Sequence, residues 1–427
     1  MNQSNLDFCI VYGDREHTAN LTWLCGYDPR FEESILIVGK EHTPAILVGN
    51  EGWGYCDLAP LPMKKILFQS LSLPGQDRSK SKTLREIFTE EGIGSASAVG
   101  IAGWKYFTPE EFSDPGHQFE VPYYIISVLQ EIVQDAQRII NINDWFMNPR
   151  DGFRAINESV QLAAFEFAAC HTSNGLKQVL FHIKPGMSEF EAASFMNYQG
   201  IPQSAHPMLS AGPRAAYGLP SPSGRKLAIG EPFTMAMGLW GALNARAGWF
   251  VQNEDQLPVG VKDYVNKLAI PYFRAVARWY EHIGIGVTGK ELYEIIHEEI
   301  GDPFFGVSLN PGHLIHIDEW LHSPVFAGSD IPLQSGMAIQ VDVIPATGSA
   351  YHTINIEDGI ALADESLREQ IKKEFPEMWH RIEQRRSFMQ EVIGIKLKPE
   401  VLPFSNIPAY LPPFILSPDS VLINVQD

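Results

Sequence analysis

Cysteine is scarce. The chain carries four in 427 residues, Cys9, Cys25, Cys56 and Cys170, and no CxxC pair. That excludes a disulfide framework and a thiolate metal site of ordinary spacing. No Cys–His arrangement marks a nucleophile, so buried free thiols in a reducing cytoplasm are expected. Positive charge is also short: 32 Lys and Arg stand against 51 Asp and Glu, a formal net charge of −19. Without a basic run, such a chain repels phosphate backbones, and no nucleic-acid partner is expected. No apolar run reaches the ~18 residues of a membrane-spanning helix. The opening MNQSNLDFCIVYGDREH lacks the basic region and apolar core of a secretory signal. A cytoplasmic protein with no membrane partner is the expectation. No HExxH pattern is present, which sets aside a zincin.

What remains is an ordinary globular balance, 45% hydrophobic and 19% charged, in a chain long enough for two domains. Residues 1–150 alternate apolar runs (DFCIVYG, SILIVG, PAILVG, SAVGIAGW) with amphipathic stretches (SKTLREIFTEEG, PYYIISVLQEIVQ). That alternation reads as an α/β domain. The turn-rich NINDWFMNPRDG marks its end. Residues 151–397 form a second domain. A long helix is expected from about Phe153 to Phe181, then a turn and a helix capped by Ser188. A strand-like stretch at 229–251, two helices over 262–299 and further strands over 306–362 follow. The two halves repeat one plan, helix pair then strands, which suggests an internal duplication. A helical segment with Pro376 as a possible kink closes the domain. The Pro-rich stretch 398–427 carries too many Phe, Tyr, Leu and Ile for a solvated tail. It is expected to pack on the body or on a partner subunit.

The densest set of reactive side chains is PGHLIHIDEWLHSP, with His313, His316, Asp318, Glu319 and His322. On a strand, His313 points away from His316 and Asp318. The ordinary reading is a loop of hydrogen-bonded polar residues. Downstream, Asp342 and Glu357 each sit inside an apolar strand (QSGMAIQVDVIP and TINIEDGIAL). Acids are seldom fully buried unless paired or metal-bound. Together with His313 they make a plausible buried site, unless they face solvent at strand ends.

The segments IKPGMSEFEAA (183–193), SAGPRAAY (210–217), Gly312–His313, the run 333–343 and INIEDGIAL (354–362), with ANLTWLCGY (19–27), together resemble the creatinase/aminopeptidase P/prolidase family. The resemblance implies an α/β (α+β) protein, with a creatinase-type N-terminal domain followed by a pita-bread catalytic domain. In the family's peptidases two Asp, one His and two Glu bind two metal ions, which activate a shared water. Carried over, His313 matches the ligand histidine, Asp342 the first Glu and Glu357 the last. His322, nine residues after His313, matches a second histidine that helps bind substrate.

The departures are equally informative. The hairpin that should bear both Asp ligands reads GEPFTMAMGLWGALNARAGWFV and contains no Asp; the simplest register puts Ala236 and Ala247 there. Glu254 and Asp255 lie too far along to substitute. Leu219 stands near the place of the usual substrate histidine, and Asn355 replaces an Arg. Three readings follow. A creatinase-like hydrolase would break a C–N bond of a small substrate with no cofactor: His313 as acid/base, Asp342 and Glu357 orienting it or holding a cationic group, and His322 stabilising charge. A variant would hold one divalent metal (Mn, Zn or Co) on His313, Asp342 and Glu357. The alternatives are an Xaa-Pro aminopeptidase or prolidase-like metallopeptidase acting on short peptides, and a binding pseudoenzyme. Arg246 and Asn244 are candidate substrate-binding residues, Arg246 for a carboxylate if it points inward. The resemblance also implies a homodimer in which Arg30, beside Phe31, is lent to the neighbouring site. Trp320 and Trp53 are candidate pocket linings.

Overall fold

The computed structural model describes residue 1 and residues 4–425; the last two residues of the Pro-rich tail, 426–427, lie outside the described residues. The chain divides into two compact units, Met1–Asn148 and Pro149–Asp427.

The first unit is built on a six-stranded sheet of β1 (Phe8–Gly13), β2 (Ser34–Gly39), β3 (Ala45–Val48), β4 (Lys64–Leu67), β5 (Val99–Ala102) and β6 (Ile139–Asn141), in the order β4-β3-β2-β1-β5-β6. Its helices are α1 (Ala19–Cys25), α2 (Gly52–Tyr55), α3 (Leu84–Glu90), α4 (Tyr123–Ile132) and α5 (Asp144–Met147). β1 pairs antiparallel with β2 and parallel with β5, so the sheet is mixed. The central strands are continuous Ile/Leu/Val runs, because both faces are covered. α3 starts at a capping box in which Thr83 and Glu86 satisfy each other's backbone N–H.

The second unit begins with α6 (Ser159–His182) and α7 (Glu189–Ser194), followed by β7 (Ala205–Ala211), β8 (Glu231–Leu239) and β9 (Ala242–Phe250). It then repeats the plan with α8 (Ile270–His282), α9 (Gly289–Ile300), β10 (His313–Leu314), β11 (Ala338–Asp342) and β12 (Asn355–Leu362). The sheet order β10-β11-β12-β9-β8-β7 is palindromic: the third strand of each half pairs with the other at the centre.

Three details differ from the sequence expectation. α6 starts at Ser159 rather than near Phe153, because Glu158 and Gln161 form the capping box and Asn157 is tied by its N–H to the Gly336 carbonyl. Pro376 does not kink a helix. It opens one, separating α10 (Glu365–Glu374) from α11 (Pro376–Ser387), since its missing N–H costs nothing at the first helical position. Residues 306–362 form only three short strands, joined by turns, loops and isolated bridges.

The hairpin β8–β9 closes through the two residues Trp240 and Gly241. Gly241 has φ +86°, and a Cβ there would meet the Phe165 ring at 2.0 Å, so only glycine serves this turn. The tail packs on the second unit. β13 (Val401–Pro403) pairs with β12, Ile415 donates its N–H to the Trp249 carbonyl, and Leu402, Phe404, Ile407 and Ile415 join the core.

α11 is pinned to α6 by a buried ion cluster. Arg381 forks Glu166 at 2.8 and 2.7 Å, and Arg385 reaches it at 2.7 Å. Burial alone would raise the Glu166 carboxyl, but the Arg381 hydrogen bonds and the Arg385 charge outweigh it and hold it below its ordinary value. A depressed folded-state value stabilises above the unfolded value and is lost as pH falls through the folded one. Glu166→Gln should therefore cost about 3–5 kcal/mol at neutral pH. The gap to wild type should narrow below pH ~4. Urea denaturation at both pH values checks this, and a gap independent of pH contradicts it.

Candidate functional site

Directly paired residues on neighbouring strands point to the same face of a sheet. Across the second unit's sheet, His313 pairs with Gln340, Asp342 with Glu357, Glu357 with Ala245, Ala245 with Ala236, and Ala236 with Met208. One face therefore carries His313, Gln340, Asp342 and Glu357, and continues onto the hairpin. The hairpin positions on this face are Thr234, Ala236, Gly238, Leu243, Ala245 and Ala247. None is acidic. The cross-strand neighbour of Glu357 is Ala245, and Ala247 lies opposite Asn355. On this face the hairpin presents no carboxylate; its one acid, Glu231, opens β8 and is paired with Arg225. Glu254 and Asp255 sit beyond β9 in an exposed turn.

His313 enters β10 through Gly312, whose φ of +124° and close approach to the Gln340 carbonyl and the Trp279 ring exclude a side chain. The imidazole is buried. Its Nδ1 lies 3.2 Å from the Leu314 carbonyl. An N–H on Nδ1 donates there and leaves the Nε2 lone pair facing the site. Nε2 is 3.7 Å from Glu357 Oε1 and 3.9 Å from Asp342 Oδ2. The nearest carboxylate is a different one: Glu319 Oε1, at 3.3 Å.

Glu319 belongs to the dense polar segment, but nothing in its spacing singles it out. A loop closure brings it back. Leu314 and His322 pair as an isolated antiparallel bridge, and the His316 N–H donates to the Asp318 carbonyl. Arg154 Nη1 then holds Asp318 Oδ2 at 2.7 Å, with the arginine side chain fully buried. Trp320, on the same loop, contacts both histidine rings: its centroid is 6.4 Å from His313 and 6.1 Å from His322. His322 thus joins the site through Trp320, with Nδ1 3.1 Å from the Ser323 carbonyl. His316 faces elsewhere, edge-on to Phe165.

Electrostatics follow from burial. Desolvation, then the charge of Glu357, pushes the Asp342 carboxyl well above its ordinary value, with His313 partly offsetting. Desolvation, then the charge of Glu319, does the same to Glu357. Burial lowers His322, partly offset by the Ser323 carbonyl. Asp342 Oδ1 is buried with no hydrogen-bond partner. Three carboxylates around one imidazole are stable only with protons or a cation among them.

Two expected substrate contacts are corrected. Arg246 and Asn244 lie on the opposite face of β9, fully buried. Arg246 forks Asp358 at 2.8 and 3.0 Å and donates to the carbonyls of Ala245, Glu357, Ile407 and Tyr410. Asn244 donates to Asp358 at 2.7 Å and accepts from Thr172. Every guanidinium nitrogen is committed and turned away from His313, so Arg246 binds no substrate carboxylate. The reason is strand period: residues of even number on β9 and β12 share the helix-covered face. Arg30 lies in the first unit, where it forks Asp28 at 2.9 and 2.8 Å. Trp53 is in the same unit, with Lys65 over its ring.

The residues fit one metal ion and not two. The second ion that the family resemblance implies would draw on hairpin carboxylates, and the hairpin positions on this face are Ala, Gly, Thr and Leu. One ion is matched by His313, Asp342 and Glu357, whose ligand atoms lie within 4.8 Å of one another. That donor set, one imidazole with hard carboxylates, suits Mn, Co or Zn. The orphaned Asp342 Oδ1 is the kind of atom such an ion would satisfy.

No protein-family model matches the sequence. An uncharacterized peptidase of Bacillus subtilis is 27% identical over 230 residues, covering 50% of this chain; the match spans 62% of that relative's length. Among solved structures, the prolidase of Pyrococcus horikoshii superposes with a TM-score of 0.63 at 16% identity, over 85% of this chain and 93% of its own. The Xaa-Pro dipeptidase of Bacillus anthracis gives 0.61 at 16%, over 86% and 92%. The X-Pro aminopeptidase of Thermotoga maritima gives 0.58 at 16%, over 84% and 94%. The fold is therefore the pita-bread fold of these enzymes, preceded by an α/β unit. Among the described residues, no helix is long and apolar enough to cross a membrane.

The structural role of Arg246 has a direct check. Arg246→Met leaves Asp358 buried and unpaired and should cost about 3–5 kcal/mol in chemical denaturation. Adding Asp358→Asn should recover part of the loss. A single variant as stable as wild type would contradict the assignment.

Proposed function

We propose that this chain hydrolyses a C–N bond in a small molecule or short peptide at the His313 pocket, with at most one divalent metal ion. The observation that carries the reading is the face of the sheet itself. His313, Asp342 and Glu357 converge as a hydrolytic site requires, while the hairpin offers no carboxylate for a second ion. The fold likeness to prolidases, dipeptidases and aminopeptidases supports C–N hydrolysis as the reaction class.

If an ion is bound, His313 Nε2, Asp342 and Glu357 would hold it, and it would polarise the scissile carbonyl and acidify a water. The chain's own residues supply the rest. The Leu314 carbonyl fixes the His313 ring through Nδ1. Gln340 Nε2, 3.4 Å from Glu357 Oε1, steadies that carboxylate. Trp320, 47% exposed, forms an apolar wall at the site and carries His322 behind it. Burial lowers His322 and favours its neutral form; with the Nδ1–H donated to the Ser323 carbonyl, Nε2 presents a lone pair that can accept a hydrogen bond or a proton from the substrate.

Raised Asp342 and Glu357 carboxyls favour a second form of the same reading, without metal. There His313 Nε2 takes a proton from the attacking water, and a neighbouring protonated carboxyl delivers one to the leaving nitrogen. A homodimer in the cytoplasm is part of the proposal, on the family resemblance alone.

Protein purified without chelator should carry no more than one metal per chain by elemental analysis. A screen of small amides, guanidino acids and Xaa-Pro dipeptides should find turnover that His313→Ala lowers at least about 100-fold. Two metals per chain would refute the single-site reading. Turnover unaffected by His313→Ala would refute the pocket, and no turnover across the screen would favour a binding role.

A further inference from the structure

The hairpin presents no carboxylate on this face of the sheet, yet three carboxylates stand around His313. The geometry points to Glu319 as a fourth ligand of a mononuclear metal site with His313, Asp342 and Glu357, held in place by the Arg154–Asp318 pair. The inference rests on the reading that this pocket takes one ion.

The distances carry it. For metal–ligand bonds of about 2.0–2.2 Å, ligand atoms at the corners of a tetrahedron stand roughly 3.3–3.6 Å apart. From His313 Nε2 the three carboxylate oxygens lie at 3.3, 3.7 and 3.9 Å, Glu319 being the nearest; the ligand atoms of His313, Asp342 and Glu357 already stand within 4.8 Å of one another, and Glu319, on its partly exposed side chain, has to swing toward that set to complete the tetrahedron. The ring faces them with the nitrogen that has no backbone partner, while Nδ1 lies against the Leu314 carbonyl, the arrangement common to metal-ligating histidines. A lone pair surrounded by three carboxylates repels them unless a proton or a cation lies between, and a bound cation relieves all three at once.

The supporting shell is built for the purpose. Glu319 comes from a loop, and a loop side chain is a poor ligand unless its backbone is fixed. Here the base of the loop is closed by the Leu314–His322 bridge. The residue before Glu319 is clamped by Arg154, whose guanidinium is wholly buried and whose Nε and Nη2 make no hydrogen bond. A buried arginine left with two unsatisfied nitrogens is costly. Keeping it for one bond to Asp318 makes sense if that bond sets where Glu319 stands. Arg154 is then a positioning residue, acting through Glu319.

The test reads metal binding, not turnover. Metal-free full-length chain is titrated with Co²⁺, followed by visible absorption, and with Zn²⁺ by calorimetry. Wild type should bind one ion with the intense absorption of a four-coordinate site. Glu319→Gln should bind at least about tenfold more weakly and with a weaker, shifted spectrum, and Glu319→Asp should recover part of the affinity. Arg154→Lys should weaken binding less than Glu319→Gln. The double variant should bind no worse than Glu319→Gln alone, because Arg154 acts only through that carboxylate. Further loss in the double variant would overturn the positioning role. A Glu319→Gln chain that binds like wild type would overturn the ligand role, as would a wild-type chain that binds no ion. In that last case metal-free turnover would leave the hydrolase reading standing. Binding as expected without turnover on any substrate would instead leave the site standing and remove the hydrolase reading.

Discussion

The pleat of one strand organises the second unit. In β12, Glu357 and Asp358 are neighbours in sequence and face opposite ways. Glu357 looks toward His313 and Asp342; Asp358 looks toward the helices, into the fork of Arg246. A carboxylate as deeply buried as Asp358 is tolerable only when paired and hydrogen-bonded. Arg246, Asn244 and the Ala409 N–H provide that together. Because Arg246 also holds the carbonyls of Glu357, Ile407 and Tyr410, the pair ties β9, β12 and the tail into one block. The pocket face can be precise because the back of the same strand is locked.

On the pocket face the hairpin contributes volume rather than charge. Ala236 and Ala245 sit opposite each other, next to Glu357, where short side chains leave room and bring no negative charge. The charge comes instead from the loop between β10 and β11, which delivers Glu319 to His313. A site with three acids and one imidazole has no internal counter-charge. Burial raises the Asp342 and Glu357 carboxyls, which favours protons on them or, on the reading proposed above, a cation among them. A shared fold with prolidases therefore implies a shared scaffold, not the same set of ligands.

The tail shows a comparable economy. Its apolar residues cover the outer side of the sheet at β9 and β12, and its main-chain carbonyls give Arg246 the acceptors that a lone aspartate could not. A stretch that composition marks only as proline-rich and apolar thus completes the polar interior behind the site.

Much of this could be read in advance. Apolar runs of the right length and β-branched content mark the strands, Ser188 marks the start of α7, and the absence of Asp from the hairpin is plain in its letters. His313, Asp342 and Glu357 stand out because charged residues inside apolar strands need a reason to be there. Strand period is a local property, so these inferences needed no coordinates. What the tertiary structure alone decided is what depends on long-range closure. It turned Arg246 toward Asp358, separated from it by more than a hundred residues, and not toward the pocket. It folded a loop so that Glu319 reaches His313, and it moved the start of α6 by tying Asn157 to Gly336. Each outcome is set by a cross-strand partner or a buried ion pair between segments far apart in the chain, and no local pattern of residue types specifies which distant segment will arrive.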